Sequence, residues 1–209
     1  MRRILLVAAA LAAFTVVGIA AAGKPATVSI SAARPAVTYG SSVKLSGTVS
    51  NHQAGEHVLV LGRPYGVTTY TEVGAVDTTA KGGAVDTTAK GAWSFTASPL
   101  IQTSYEATWN AVMSRAVVVK VRPRIRLALS SRTATRGTFT VEVDGSRVLV
   151  QRLTPSGPAT VKHVVLGASS SATFTIRVPR HRARVRIVMP SSQAAPGYIA
   201  GVSNVWKSS

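Results

Sequence analysis

The side chains in this chain best suited to hold a partner are arginines. Arg182, Arg184 and Arg186 alternate with Ala183, Val185 and Ile187. A strand that turns those apolar residues inward sets the three guanidinium groups along its outer face about 6.5 to 7 Å apart. Arg122 and Arg126 flank Arg124 at the same spacing. Planar guanidinium groups at that interval can meet successive carboxylates or phosphates of an extended polyanion in bidentate fashion. An arginine-rich composition also leaves like charges on solvated strand faces, where they discourage edge pairing. Polyanion binding and a solvated face are therefore both open readings of these six residues.

Reaction chemistry finds no comparable foothold. An enzyme of common type needs a nucleophile beside a base, paired carboxylates or a metal cluster. His52, His57, His163 and His181 fall in turns or at strand ends without metal-ligand spacing, and the chain contains no cysteine. Its seven acidic residues include no evident glycosidase pair, and its serines form no Gly-x-Ser-x-Gly elbow. The expectation is a protein that is not an enzyme and that has no cofactor and no metal site. One segment invites a metal reading: Gly74 to Gly82 is repeated without change as Gly83 to Gly91, which places Asp77 and Asp86 near Glu72. Calcium needs more oxygens, held by a rigid loop, than this segment supplies. A duplication at the tip of a hairpin, where loops tolerate insertion, accounts for it more simply.

Charge and the N-terminus bound the compartment. Lysine and arginine total 24 against 7 acidic residues, a net charge of +17. Arg2-Arg3 forms a basic start, residues 4 to 19 are apolar apart from Thr15 and Gly18, and Ala20-Ala21-Ala22 offers a small-residue cleavage site. Residues 1–22 thus read as a secretory signal peptide, with an uncleaved membrane anchor as the alternative, since the run approaches the length that spans a bilayer. Membrane contact is expected only through that segment if it is retained. Without cysteine an exported chain has no disulfides, and packing alone must hold it. Nucleic acid is not an expected partner, because few aromatic residues interleave with the arginines to stack bases. Anionic envelope polymers or glycans are the polyanions an exported protein meets.

The elements that must position these groups are short strands. Val43, Leu45, Gly47 and Val49 alternate with Lys44, Ser46 and Thr48, the two-residue period of a half-buried strand. Tyr39-Gly40-Ser41 supplies a turn in front of it. Residues 26–32, 57–61, 67–73, 91–97, 104–109 and 115–121 read as further strands. Trp93 and Phe95 anchor one of them, and Tyr105, Ala107 and Trp109 turn inward on another. Tyr105 suits either a buried corner tyrosine bonding upstream backbone or a ligand-stacking ring.

The segments Tyr39 to Gly47, Gly91-Ala92-Trp93-Ser94-Phe95 and Tyr105-Glu106-Ala107-Thr108-Trp109 together resemble the bacterial immunoglobulin-like domains found in exported proteins of actinobacteria and their relatives. The resemblance covers roughly residues 26 to 121. It implies a β-sandwich serving as a stalk, spacer, or adhesive or sugar-binding module, and it carries no shared active-site residue.

Beyond Val121-Arg122-Pro123-Arg124, where proline and charge interrupt the pattern, the alternation restarts. Val148-Leu149-Val150 lies 90 positions after Val58-Leu59-Val60, and Ala172-Thr173-Phe174 with Pro179 echoes Trp93-Ser94-Phe95 with Pro99. Further strands are expected over 125–129, 139–143, 159–166, 182–189 and 197–202, in a copy that has no tryptophan or corner tyrosine at the matching places. The basic charge concentrates here: 14 basic against 2 acidic residues from Arg122 onward, compared with 8 against 5 from Lys24 to Val121. The expected organisation is all-β: a signal peptide over 1–22, an immunoglobulin-like sandwich over 23–121 and a second, strongly basic one over 122–209. The expected function is a non-catalytic exported module, a cell-surface or extracellular structural or adhesive protein held on anionic envelope polymers by its second domain. A carbohydrate-binding or polyanion-binding module is the alternative.

Overall fold

A computed structural model of the chain describes residues 25–78, 91–143, 147–178 and 183–208. The expected signal peptide lies outside these residues, as do Arg182 and most of the second copy of the nine-residue repeat. Among the described residues no helix is long and apolar enough to cross a membrane.

The N-terminal half contains β1 (Ser31–Ala32), β2 (Ala36–Thr38), β3 (Val43–Thr48), β4 (His57–Pro64), β5 (Thr71–Asp77), β6 (Ala92–Ala97), β7 (Thr103–Trp109), β8 (Val112–Met113) and β9 (Val117–Arg122). They form a three-stranded sheet, β1-β3-β6, and a six-stranded sheet, β2-β9-β7-β4-β5, with β8 pairing β7. Pairing is antiparallel except where β2 runs parallel to β9. The alternation read in the sequence decides which faces meet: Val43 and Leu45 of β3 and Trp93 of β6 share one buried cluster with Val58 and Val60 of β4 and Tyr105, Ala107 and Trp109 of β7. Gly47 is required there. A Cβ would lie 1.8 Å from the Ser29 carbonyl oxygen and 2.8 Å from the Trp93 ring, so glycine lets the tryptophan and the incoming chain close over β3.

The C-terminal half contains β10 (Arg126–Arg132), β11 (Arg136–Glu142), β12 (Arg147–Thr154), β13 (Gly157–Val165), β14 (Ser171–Arg177), β15 (Arg184–Met189), a 3-10 turn over Ser191–Gln193, β16 (Gly201–Val202) and β17 (Trp206–Lys207). Again a three-stranded sheet, β10-β11-β14, faces a larger one, β13-β12-β15-β16 with β17 on β15, and a second buried cluster lies between them. The sequence echoes fall on equivalent strands. Val58 and Val60 on β4, like Val148 and Val150 on β12, are fully buried. Phe95 pairs with Leu45 across β6 and β3, as Phe174 pairs with Phe139 across β14 and β11. The aromatic that the second half lacks at the position of Trp93 arrives from another strand: Trp206 on β17 meets Phe139 edge-on at 5.1 Å.

Several expectations need correction. The strand expected over 67–73 lies at 71–77, because Gly66 takes a positive φ and Val67 bonds back to Pro64, holding a turn there. Gly74 to Asp77, the start of the repeat, are therefore strand residues paired with β4. The repeat joins β5 and β6, which belong to different sheets, so it does not sit at the tip of a hairpin. The first expected strand shrinks to β1 and an isolated Val28–Val49 bridge. Of the strand expected over 197–202 only β16 forms. The segment before it does something else, described next.

Candidate functional site

Proline and charge do not interrupt the pattern at the joint. Val119, Val121, Pro123, Ile125 and Leu127 are buried, and Lys120, Arg122, Arg124 and Arg126 are exposed. The two-residue alternation therefore runs unbroken from β9 into β10. Proline tolerates this because its fixed φ is compatible with extended backbone. Its ring also has a place to go: a Cβ at Gly201 would lie 2.8 Å from Pro123 Cγ, so that glycine admits the ring. The three arginines expected at this spacing share one face of the extended run, and Lys120, which the sequence reading passed over, extends the row to four cations at about 6.5 to 7 Å intervals.

The segment between β15 and β16 folds back over the N-terminal half. Gln102 N donates to the Gly197 carbonyl at 3.0 Å, Ile199 N to the Val121 carbonyl at 3.0 Å, and Tyr198 Oη to the Leu100 carbonyl at 2.9 Å. Arg122 Nη1 donates to the Ala200 carbonyl at 3.2 Å. Tyr198 also packs against the N-terminal core. Residues some 75 to 100 positions apart thus lock the two halves together.

Beside this lock lies an open cleft of about 520 Å³, within the size range of small-ligand sites. Arg124 and Arg126 line it from the joint, Tyr39 and Tyr198 from the two sides, and the Ser169–Ser171 turn closes it. The tyrosine rings are tilted at 44° with centroids 6.5 Å apart. Gly40 at φ +76° positions Arg124: a Cβ there would stand 3.0 Å from Arg124 Nη2, so the guanidinium lies across the turn that precedes β3. Glu142 also lines the cleft. It pairs in register with Arg126 on one side and Ser171 on the other, so cation, carboxylate and hydroxyl stand in a row across three strands. Ser170 adopts φ +55°, a conformation that costs a non-glycine residue. The turn keeps it through bonds from Val143 N to the Ser170 carbonyl and from Ser170 N to the Gly167 carbonyl.

No family model matches this chain, and no curated protein matches it. Among solved structures it is similar to the crystal structure of a tetra-tandem repeat in the extending region of a large adhesion protein. That match has 12% identity and a TM-score of 0.38, over 88% of this chain and 49% of that one. With a superposition of that quality, the strand order and the two buried clusters remain the ground for the architecture.

The other expected arginines stand apart from the cleft. Arg184 is exposed and Arg186 half-buried on β15, between inward Val185 and Ile187. Arg186 Nε donates to Gln151 Oε1 at 3.0 Å, and Arg184 pairs in register with Lys207. β15 belongs to the five-stranded sheet and β10 to the three-stranded one. The two sheets share their buried faces, so the arginines of β15 and those of the joint point in different directions and do not form one surface. Sequence reasoning missed Tyr39, Tyr198, Glu142 and the serine turn as neighbours. The only signal was the Tyr39-Gly40-Ser41 turn, which was read as local geometry.

The remaining candidates are structural. Tyr105 is buried, so no face of the ring is open for ligand stacking. Burial raises its pKa above the usual phenol value, and the nearby Thr103 side chain partly offsets this. Glu72 and Asp77 are five positions apart in extended β5, roughly 15 Å, too far to share a calcium ion. Asp77 instead pairs with His57 at 3.0 Å on an exposed edge. Among the described residues no group of three or more acidic or histidine side chains is placed to hold a metal.

Proposed function

We propose that this chain is a non-catalytic, exported structural or adhesive module, built as two tandem immunoglobulin-like sandwiches of the bacterial type and held on anionic envelope polymers by its basic face. The observation that carries this reading is the joint: an alternation running unbroken from Val119 to Leu127, locked by the bonds of Gly197, Tyr198 and Ile199 to the N-terminal half. Such a joint suits a spacer, which has to keep its length and direction. Its outward side chains, Lys120, Arg122, Arg124 and Arg126, match the spacing of an extended polyanion. The basic composition of the second half and the apolar, alanine-ended N-terminus support an extracytoplasmic setting.

The test is retention of the secreted protein on cells of its own source. A wash of about 0.5 M salt, which shrinks the Debye length to a few Å, should release it. The double variant Lys120→Ala/Arg122→Ala should elute from an immobilised teichoic-type polymer at distinctly lower salt than the parent. Retention through the wash, or an unchanged elution point, overturns the polyanion part of the reading.

A further inference from the structure

We infer that the cleft at the joint is a binding site for a sugar carrying a single carboxylate, a uronic-acid type of residue within a glycan. This deepens the adhesive reading and rests on it for the ligand's presence at the cell surface. The binding itself depends only on the cleft.

The side chains select this chemistry. Arg124 is held across Gly40 and Arg126 stands two positions on, so two guanidinium groups face one opening and can take a carboxylate by charge-assisted, bidentate bonds. Glu142 lies in the same wall, in register with Arg126. Within the cleft that carboxylate disfavours a second anionic group beside the one the arginines hold, and it accepts hydrogen bonds from hydroxyl groups. The combination favours a ligand with one anionic group and several hydroxyls. Ser169 and Ser171, whose hydroxyls lie 2.9 Å apart, add partners that can donate or accept. Tyr39 is 41% exposed, and its ring beside that of Tyr198 gives an apolar face for the C–H side of a sugar ring. The volume, about 520 Å³, accommodates one or two sugar rings.

Two features give the site its shape. Ser170 holds a left-handed backbone conformation, fixed by the bonds of its own turn to Val143 and Gly167. The walls come from both halves, Tyr39 from one and Glu142, the serine turn and Tyr198 from the other, so the site exists only while the joint is locked.

The experiment is a titration of the purified mature protein at physiological salt, followed by its amide NMR spectrum. The probes are a glucuronic-acid-containing disaccharide, the neutral disaccharide of the same linkage, and inorganic phosphate. The acidic disaccharide should bind saturably and shift the amides of Tyr39, Tyr198 and Ser169 to Ser171. Arg124→Ala should weaken it about tenfold or more, the scale of one charge-assisted hydrogen bond, and Tyr39→Ala severalfold. Arg184→Ala, on the other sheet, should leave it unchanged. The neutral disaccharide should bind about tenfold more weakly. Each variant's remaining amide shifts report whether its fold is intact. Should the parent show no saturable shifts with the acidic disaccharide, the inference fails. It also fails if phosphate binds as well as the sugar, which would make this a generic anion site, or if the shifts lie away from the cleft. Because Lys120 and Arg122 do not line the cleft, the salt-elution test can fail while this one succeeds, and the reverse.

Discussion

Tyr105 shows how one residue type can belong to either of two readings until its surroundings are known. Its strand position turns it inward, where burial raises the pKa of its phenol. A raised folded-state pKa means that the folded protein holds the proton more tightly than the unfolded chain. The stabilisation is fully present below the unfolded value of about 10 and is lost as pH rises through the folded value. Chemical denaturation midpoints should therefore hold from pH 8 to about 10 and fall above it. In Tyr105→Phe, which has no phenol to titrate, that fall should be shallower. An equal alkaline fall in parent and variant would show that another group governs it. The turn between β7 and β8 offers a second residue-scale case. Ala111 sits at φ +62° after Asn110 at φ +47°, and only the asparagine is a residue that tolerates this conformation readily. Ala111→Gly should raise stability by roughly 0.5 to 1 kcal/mol, less than the full left-handed penalty because glycine is more disordered when unfolded. A lowered denaturation midpoint would contradict that assignment of strain.

At the scale of elements, strands with a clean two-residue period were legible: β3, β4, β6 and β7 fall within a few residues of where alternation put them. Three kinds of element were not. β2 is three residues long and owes its existence to β9, far along the chain. β8 is a two-residue return after a turn. β5 was offset because threonine and valine in 67–73 have strand character, while the turn at Pro64 to Val67 delays the start. That offset decides what the repeat does. One copy supplies Gly74 to Asp77 of β5, and Gly74 leaves room for the Phe95 ring, which a Cβ would meet at 2.5 Å. Because the copies are identical, deleting nine residues leaves one GAVD to fill β5. The ends to be rejoined both lie on the same loop: Thr78 Oγ1 donates to the Gln53 carbonyl, Gly55 N to the Thr78 carbonyl, and Val49 N to the Gly91 carbonyl. The deletion should leave the melting temperature unchanged or slightly higher, since a shorter connection saves on the order of 1 kcal/mol of closure entropy. A drop of many degrees would show that the doubled segment is structural.

At the scale of the whole molecule, the joint and its cleft were the least legible parts, for a physical reason. Each strand announces its own inner face, but the cleft is assembled from positions 39, 124, 142, 170 and 198, which no local pattern connects. Proline and arginines at 122 to 124 read as an interruption because the sequence does not say that Gly201 waits to receive the ring. The most sensitive point of the assembly is Gly197. It holds φ +82°, a Cβ there would lie 2.6 Å from Ile101 Cγ1 and 3.0 Å from Tyr65 Cβ, and its carbonyl accepts the Gln102 amide. Gly197→Ala therefore meets backbone strain of about 1 to 2 kcal/mol as well as a clash with the opposite half. Both are relieved if the 195–200 segment lifts away. Neither buried cluster contains residue 197, so the two cores should survive. The expected outcome is a protein with unchanged strand content by circular dichroism, a broader distance distribution in solution scattering, and a melt that separates into two steps where the parent shows one. The same variant should lose the acidic disaccharide, since Tyr198 moves with the segment. A variant that scatters and melts like the parent would mean that the halves are held by the Val119 to Leu127 run alone, with the Gly197 contact contributing nothing to the lock.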